Sequence, residues 1–239
     1  MLVINELSKT YKGGKKAVDG LSLHVMPGDI FGFIGPNGAG KTTTIKCAAG
    51  LLGFEKGEIL VGGHSVKDEP IECKKLIAYL PDNPDLYLNL TGVKYLNFIA
   101  DIFSVSEADR EQRIKLYGEK LGIYSDLGSP ISSYSHGMKQ KLAVVSALIH
   151  EPRLIILDEP FVGLDPIAAH NLKELLKEKC AAGAAVFFST HVLDVAENLC
   201  TKVAIIKNGR IVTSGSTEEV MGDKTLEQIF LELVEHETV

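Results

Sequence analysis

Eight consecutive residues, Gly35-Pro36-Asn37-Gly38-Ala39-Gly40-Lys41-Thr42, fit the pattern G-x-x-x-x-G-K-[ST]. Glycines at this spacing let several backbone N–H groups close around one anion. A helix N-terminus directly behind them adds partial positive charge. The lysine suits the β- and γ-phosphates of a nucleoside triphosphate, and the hydroxyl suits a Mg²⁺ ion. Gly35 to Thr43 is therefore the candidate phosphate loop, with Lys41 on the phosphates and Thr42 on the metal. An accidental glycine-rich turn is the weaker alternative, because the segment lies between an apolar strand pattern and a helical one.

A second constellation, Asp158-Glu159, closes the apolar run Leu154–Leu157. In open α/β sheets the carboxyl ends of the strands face the ligand. Asp158 is then expected to hold Mg²⁺, directly or through water, and Glu159 to orient and deprotonate an attacking water. A solvated acidic pair at a strand end is the blander alternative, and a matching phosphate loop upstream argues against it.

The elements that must position these residues are visible as changes of period. LVINEL and LSLHV alternate as short β elements, and Pro27-Gly28-Asp29 reads as a turn. Ile30 to Ile34 reads as the strand feeding the loop, and Thr42 to Leu52 as the helix behind it. Glu58–Val61 reads as a strand running into a Gly62-Gly63 turn, and Leu76–Leu80 as a buried strand stopped by Pro81. From Thr91 to about Ile149 the pattern is helical. Leu96, Ile99, Ala100 and Phe103 share a face, and Ser106 with Asp109 marks a second helix start. Strand and helix alternate again through Leu154–Leu157, a helix after Pro166, Ala185–Phe188, a helix near Val192–Leu199, and Val203–Ile206. Asn208-Gly209 is a tight hairpin signal. Such alternation predicts a mostly parallel sheet covered by helices. In the tail, Leu226, Ile229, Phe230 and Leu233 form one amphipathic face, whose default role is docking onto the domain, with a partner interface as the alternative.

Bulk composition narrows the function. A chain of 239 residues, 45% hydrophobic, can bury one large α/β core. A net charge of -6 and a pI near 5.7 disfavour a nucleic-acid binder, which needs a cationic face. The four cysteines, Cys47, Cys73, Cys180 and Cys200, form no C-x-x-C pair and read as reduced thiols. The N-terminus lacks the pattern of a secretory leader. No apolar run approaches the roughly 18–20 residues that cross a bilayer. The expectation is a cytoplasmic chain whose membrane part, if any, is another polypeptide.

The stretch Ile131–Pro166, ISSYSHGMKQKLAVVSALIHEPRLIILDEPFVGLDP, adds a polar helix start one helix ahead of Asp158-Glu159. In this order and spacing, the phosphate loop, the Ser135-His136-Gly137-Met138 block and the acidic pair resemble the ATP-binding cassette family, nearly end to end from Tyr11. The resemblance implies an α/β P-loop NTPase core with a mostly parallel sheet, an N-terminal antiparallel β subdomain and an inserted helical subdomain. It divides one ATPase domain into a core (about 1–87 and 150–215), a helical block (about 88–149) and a C-terminal tail (216–239).

The same resemblance implies roles. Tyr11 matches the aromatic that stacks on adenine, although an ordinary strand tyrosine is a serious rival. His191 matches the switch histidine at the γ-phosphate, and Asp82, in Tyr79-Leu80-Pro81-Asp82, stands where the family has a glutamine that touches Mg²⁺. Ser135 and Gly137 match the signature that completes the ATP site of a second cassette, and Asp165 belongs to the loop passing between the two sites. The implied assembly is a head-to-tail dimer sandwiching two ATPs, working with multi-span permease subunits that it powers from the cytoplasmic face. Asn83 to Leu90 is the segment expected to meet them. The form YSHGMKQK and the tail LEQIFLELV are similar to the branch that exports drugs and antibiotics. The rivals are a soluble ATP-driven clamp on ribosomes or nucleic acid, a nucleotide sensor with little hydrolysis, and a simple kinase.

Overall fold

The computed structural model describes residues 1–235. The chain opens with β1 (Leu2–Thr10) and β2 (Lys16–Val25), then β3 (Ile30–Ile34), the phosphate loop and α1 (Lys41–Ala48). Next come β4 (Lys56–Val61), β5 (His64–Ser65), α2 (Pro70–Leu76) and β6 (Ile77–Leu80). A helical block follows: α3 (Gly92–Ile102), α4 (Glu107–Lys120) and α5 (His136–Leu148). The chain then alternates through β7 (Leu154–Asp158), α6 (Pro166–Ala181), β8 (Ala185–Thr190), α7 (Leu193–Leu199), β9 (Lys202–Lys207) and β10 (Arg210–Ser216). It ends in α8 (Thr217–Met221) and α9 (Leu226–Glu235).

Two sheets form among the described residues. The smaller, in order β2-β1-β4-β5, is antiparallel. The larger runs β10-β9-β3-β8-β7-β6, parallel from β9 to β6, with β10 antiparallel at its edge. Its inner strands are covered on both faces, which is why IFGFI, LIILD and AVFFST are buried at every residue. Alternation deals their side chains to two cores. Ile30, Ile34, Ile155, Leu157, Val186 and Phe188 face the helical block, α6 and α7. Phe31, Phe33, Leu154, Ile156, Ala185 and Phe187 face α1 and the small sheet.

Local rules explain most boundaries. Thr91, Ser106 and Ser135 cap α3, α4 and α5 by accepting from the N–H of Lys94, Asp109 and Met138. Asn208 and Gly209, with φ of 50° and 79°, make the two-residue hairpin between β9 and β10. Helix α1 is shorter than the sequence pattern suggested and stops at Ala48, because Gly50 turns left-handed with φ 68°. Helix α2 had no periodic signal strong enough to read. It starts at Pro70, which fits a first helical turn, and takes up Leu76, which the sequence pattern assigned to the strand.

Three consecutive residues after α5 join the helical block to the sheet. Arg113 of α4 donates to the Ile149 carbonyl at 2.9 Å. His150 lies 3.2 Å from the Ile77 carbonyl through Nε2, and its ring stacks on Phe103 at 3.7 Å. Burial pushes the His150 imidazole down to about 4. The Glu151 carboxylate accepts from Tyr117 of α4 and from Lys179 of α6.

In the tail, Leu226 is fully buried, and Ile229, Phe230 and Leu233 pack against the same core. The last part of the 216–239 segment, residues 236–239, lies outside the described residues. All four cysteines are buried and unpaired. Among the described residues no helix is long and apolar enough to cross a membrane.

Candidate active site

The loop after β3 and the carboxyl ends of β6 and β7 bound a cavity of about 270 Å³. Pro36, Asn37, Gly38, Gly40, Lys41, Thr42 and Thr43 form its floor. Asp82, Asp158 and Glu159 come from the strand ends, and Tyr11 from the end of the small sheet. The larger sheet thus brings together residues far apart in sequence because its parallel strands all end on one side.

The loop is built for close approach. Gly40 has φ 111°, and a Cβ there would lie 2.4 Å from the Ala17 carbonyl, so no other residue fits without displacing β2. Gly35 and Ala39 lie behind the lining. Lys41 is 6% exposed, and its Nζ donates to the Gly35 carbonyl at 2.6 Å and the Pro36 carbonyl at 3.3 Å. It also lies 3.8 Å from the Glu159 carboxylate. Burial lowers its pKa, and the Glu159 and Asp158 charges oppose that shift.

Asp158 is 2% exposed and accepts from the Ser189 hydroxyl at the end of β8. Glu159 has φ 51°, a conformation unusual for a side chain of this kind, held by its N–H donating to the Ser189 carbonyl and hydroxyl at 3.2 and 3.1 Å. Its carboxylate meets His191: the ring Nδ1 is 3.0 Å from Oε1, and the backbone N–H donates to Oε2 at 3.4 Å. Tyr11 is half-exposed, with its hydroxyl 3.2 Å from Thr43 Oγ1. Burial, helped by the Asp158 charge, pushes the Tyr79 phenol at the end of β6 up to about 12.

The lining suits a phosphate chain and a hard cation. Among the described residues no group of three or more His, Cys, Asp or Glu could hold a metal alone. Thr42, Asp158 and Asp82 offer oxygen donors of the kind Mg²⁺ takes, and such an ion completes its shell with phosphate oxygens and water.

Ser135, Gly137 and Asp165 do not line this cavity. Ser135 caps α5, and Asp165 caps α6 through Ala168 at 2.8 Å and pairs with Lys141 at 2.8 Å. The Lys141 hydrogen bond lowers the Asp165 pKa. His136 packs so closely on Gly163 that a Cβ there would lie 2.5 Å from the ring, so the helix start and the loop after β7 are locked together. Three residues of the site escaped the sequence reading: Lys15, Ala17 and Ser189. Ser189 had a usable signal, its place at a strand end. Lys15 and Ala17 had none beyond nearness to Tyr11.

A parallel sheet with a glycine-rich loop at its centre and acidic residues on the neighbouring strand ends defines a P-loop nucleotide hydrolase. The family model described as ABC transporter matches residues 18–162, more than half of the chain. An uncharacterized ABC transporter ATP-binding protein, all4389 of Nostoc sp., is 36% identical over 232 residues, covering 94% of this chain and 69% of its own length. The linearmycin resistance ATP-binding protein LnrL of Bacillus subtilis is 32% identical, covering 96% and 74%. A solved structure described as the ATP-binding subunit of an ABC transporter superimposes with a TM-score of 0.93 at 35% identity, covering 98% and 99%. The chain belongs to the ABC transporter family and is an ATP-binding ATPase of it.

Proposed function

We propose that this ATPase is the motor subunit of a membrane exporter, acting as a head-to-tail pair on the cytoplasmic face of the membrane. One observation carries the hydrolytic assignment: Lys41 and His191 both lie within 3.8 Å of the carboxylate of Glu159, which lines the cavity with Lys41. In this reading Tyr11 stacks on the base, the loop from Gly35 to Thr43 encloses the phosphates, and Lys41 bridges the β- and γ-phosphates. Thr42 and Asp158, with Asp82 nearby, would hold Mg²⁺, which would supply charge neutralisation on the phosphates. Glu159 takes a proton from water as its oxygen bonds to the γ-phosphorus. The bond to the β–γ bridging oxygen breaks, releasing ADP and phosphate. His191 holds Glu159 and the γ-phosphate in register.

Ser135 and Gly137 are assigned to the ATP of the partner chain. Their absence from the cavity of their own chain supports this, as does the placement of Ser135 at a helix start, where N–H groups favour an anion. The core, the helical block from about 88 to 149 and the tail are proposed as the functional divisions. Tyr87 and Leu88 are exposed beside buried Leu86, which supports Asn83–Leu90 as the permease contact. Export rests on the likeness to LnrL and on the signature form.

The test is affinity purification of the tagged chain from solubilised native membranes. A stoichiometric multi-span protein is the expected companion. Recovery with ribosomes or nucleic acid from the soluble fraction alone would overturn the transporter reading.

A further inference from the structure

The cavity lining carries two cations, Lys15 and Lys41, against three carboxylates, Asp82, Asp158 and Glu159. Its own charge is therefore 2 − 3 = −1, although the ligand is a polyanion. Lys41 is already engaged, bonded to two carbonyls and facing Glu159. Lys15 is not: its ammonium has no hydrogen bond or ion pair among the described residues. Neighbouring Lys16 is paired with Asp19, so the freedom of Lys15 is not common to the whole lysine-rich turn.

The backbone fixes where Lys15 can act. The Tyr11 N–H donates to the Lys15 carbonyl at 2.9 Å, and the Gly14 N–H donates to the Tyr11 carbonyl at 3.0 Å. This closed turn sets the two side chains against the same wall. The Tyr11 hydroxyl in turn reaches Thr43 on the first turn of α1. Lys15 thus enters the lining from the turn that carries Tyr11, whereas Lys41 enters it from the phosphate loop. A base on Tyr11 and terminal phosphates on Lys41 leave the segment between them, the ribose and α-phosphate, to Lys15, the other cation of the lining.

We propose that Lys15 is a nucleotide-binding residue that contacts the α-phosphate. The proposal rests on the assignment of this cavity to ATP. Its flexible arm presents a point charge that can follow the phosphate as the nucleotide enters. The contact exists with ADP and ATP alike, so it strengthens binding uniformly and does not change the barrier to hydrolysis. Because Lys15 is exposed, salt screens it.

The experiment measures Kd for fluorescent ADP and ATP analogues, and steady-state ATPase, in the full chain and in Lys15→Met, Lys12→Met and Lys41→Met. Lys12 has no place in the lining and serves as the charge control. The expected result is that Lys15→Met weakens both nucleotides by the same factor, about three- to tenfold at low salt and less at high salt. KM should rise by a similar factor with kcat changed less than twofold, and Lys12→Met should behave as the parent. Three outcomes overturn the proposal: unchanged affinity in Lys15→Met, an equal loss in Lys12→Met, or a loss confined to ATP, which would place the contact at the γ-phosphate. Lys41→Met separates the two levels of the argument. If it binds both nucleotides as tightly as the parent, the cavity assignment itself fails. If it loses binding while Lys15→Met does not, only the role of Lys15 is lost.

Discussion

The cavity wall of the core and the start of α5 both present groups suited to phosphate, yet they differ in completeness. In the core, loop, lysine, hydroxyl and three strand-end acids line one cavity, and a histidine meets the Glu159 carboxylate. At α5, Ser135 and Gly137 stand at a helix start and do not line that cavity. The first region brings together the groups that the proposed reaction uses. The second is proposed to complete a site on a partner chain. The contrast explains why the fold spends a tight contact, His136 against Gly163, on fixing the second region to the loop that follows Glu159.

The most severe way to probe this contrast is Glu159→Gln. The amide keeps the size and the hydrogen-bonding reach toward His191 but accepts no proton from water. Phosphate release is expected to fall by at least about 100-fold. ATP binding should persist, and the ATP-bound chain should accumulate as a dimer on size-exclusion chromatography. A variant with parental turnover would remove Glu159 from the reaction.

Next in size is a change at the incomplete region. Ser135→Asp keeps a good helix cap but points a negative charge where the partner's phosphate is expected. ATPase activity should drop about 10- to 100-fold, while the affinity of the single chain for a nucleotide analogue stays that of the parent. A matched loss of nucleotide affinity would instead mean that α5 serves its own cavity, and the contrast between the regions would collapse.

The joint between the regions offers a pH test. Burial lowers the folded pKa of His150 to about 4, below the usual 6.5 of the unfolded chain. Between these values the unfolded state binds more protons, so stability rises with pH through the window and is lost as pH falls from 6.5 toward 4. The contribution is at most about 3 kcal/mol. In His150→Gln the slope of melting temperature against pH in this window should flatten. Hydrogen exchange at acid pH should quicken in α3 and α5 before β3 and β7. A parallel slope in both proteins would assign the acid sensitivity elsewhere.

How much of this was legible in the sequence follows the same division. The strands of the larger sheet were readable because burial on both faces leaves unbroken apolar runs, as in Ile30–Ile34 and Leu154–Leu157. The phosphate loop was readable because its chemistry fixes residue types at adjacent positions. Helix α2 was not, since seven residues give fewer than two full apolar turns. The end of α1 was misjudged by the apolar pair Leu51-Leu52, which continues the pattern after Gly50 has already left the helix. Lys15 and Ala17 were invisible because their place in the lining follows from how the small sheet packs on the loop, a contact no local pattern encodes. The joint at His150 and Glu151 was equally hidden, since its partners come from α3, α4, β6 and α6.

The smallest effect concerns Asp82, where the family resemblance implies a glutamine. Asp82 is exposed and lines the same cavity as Asp158 and Glu159. As a carboxylate it adds a third negative charge to a lining that must admit a polyphosphate. It can attract Mg²⁺ more strongly than an amide, but it also repels the γ-phosphate and the Glu159 carboxylate. At saturating Mg²⁺ the attraction no longer limits the rate, while the repulsion remains. Asp82→Gln is therefore expected to raise kcat, by about two- to fivefold, and to shift half-maximal activity to a higher Mg²⁺ concentration. The two parameters separate the causes. A fall in kcat at saturating metal would show that the carboxylate acts in the reaction. A rise in kcat without a shift in the metal requirement would leave Asp82 as a repulsive neighbour that does not touch the metal. Either result would say whether the core's completeness, on which its contrast with α5 depends, includes the end of β6.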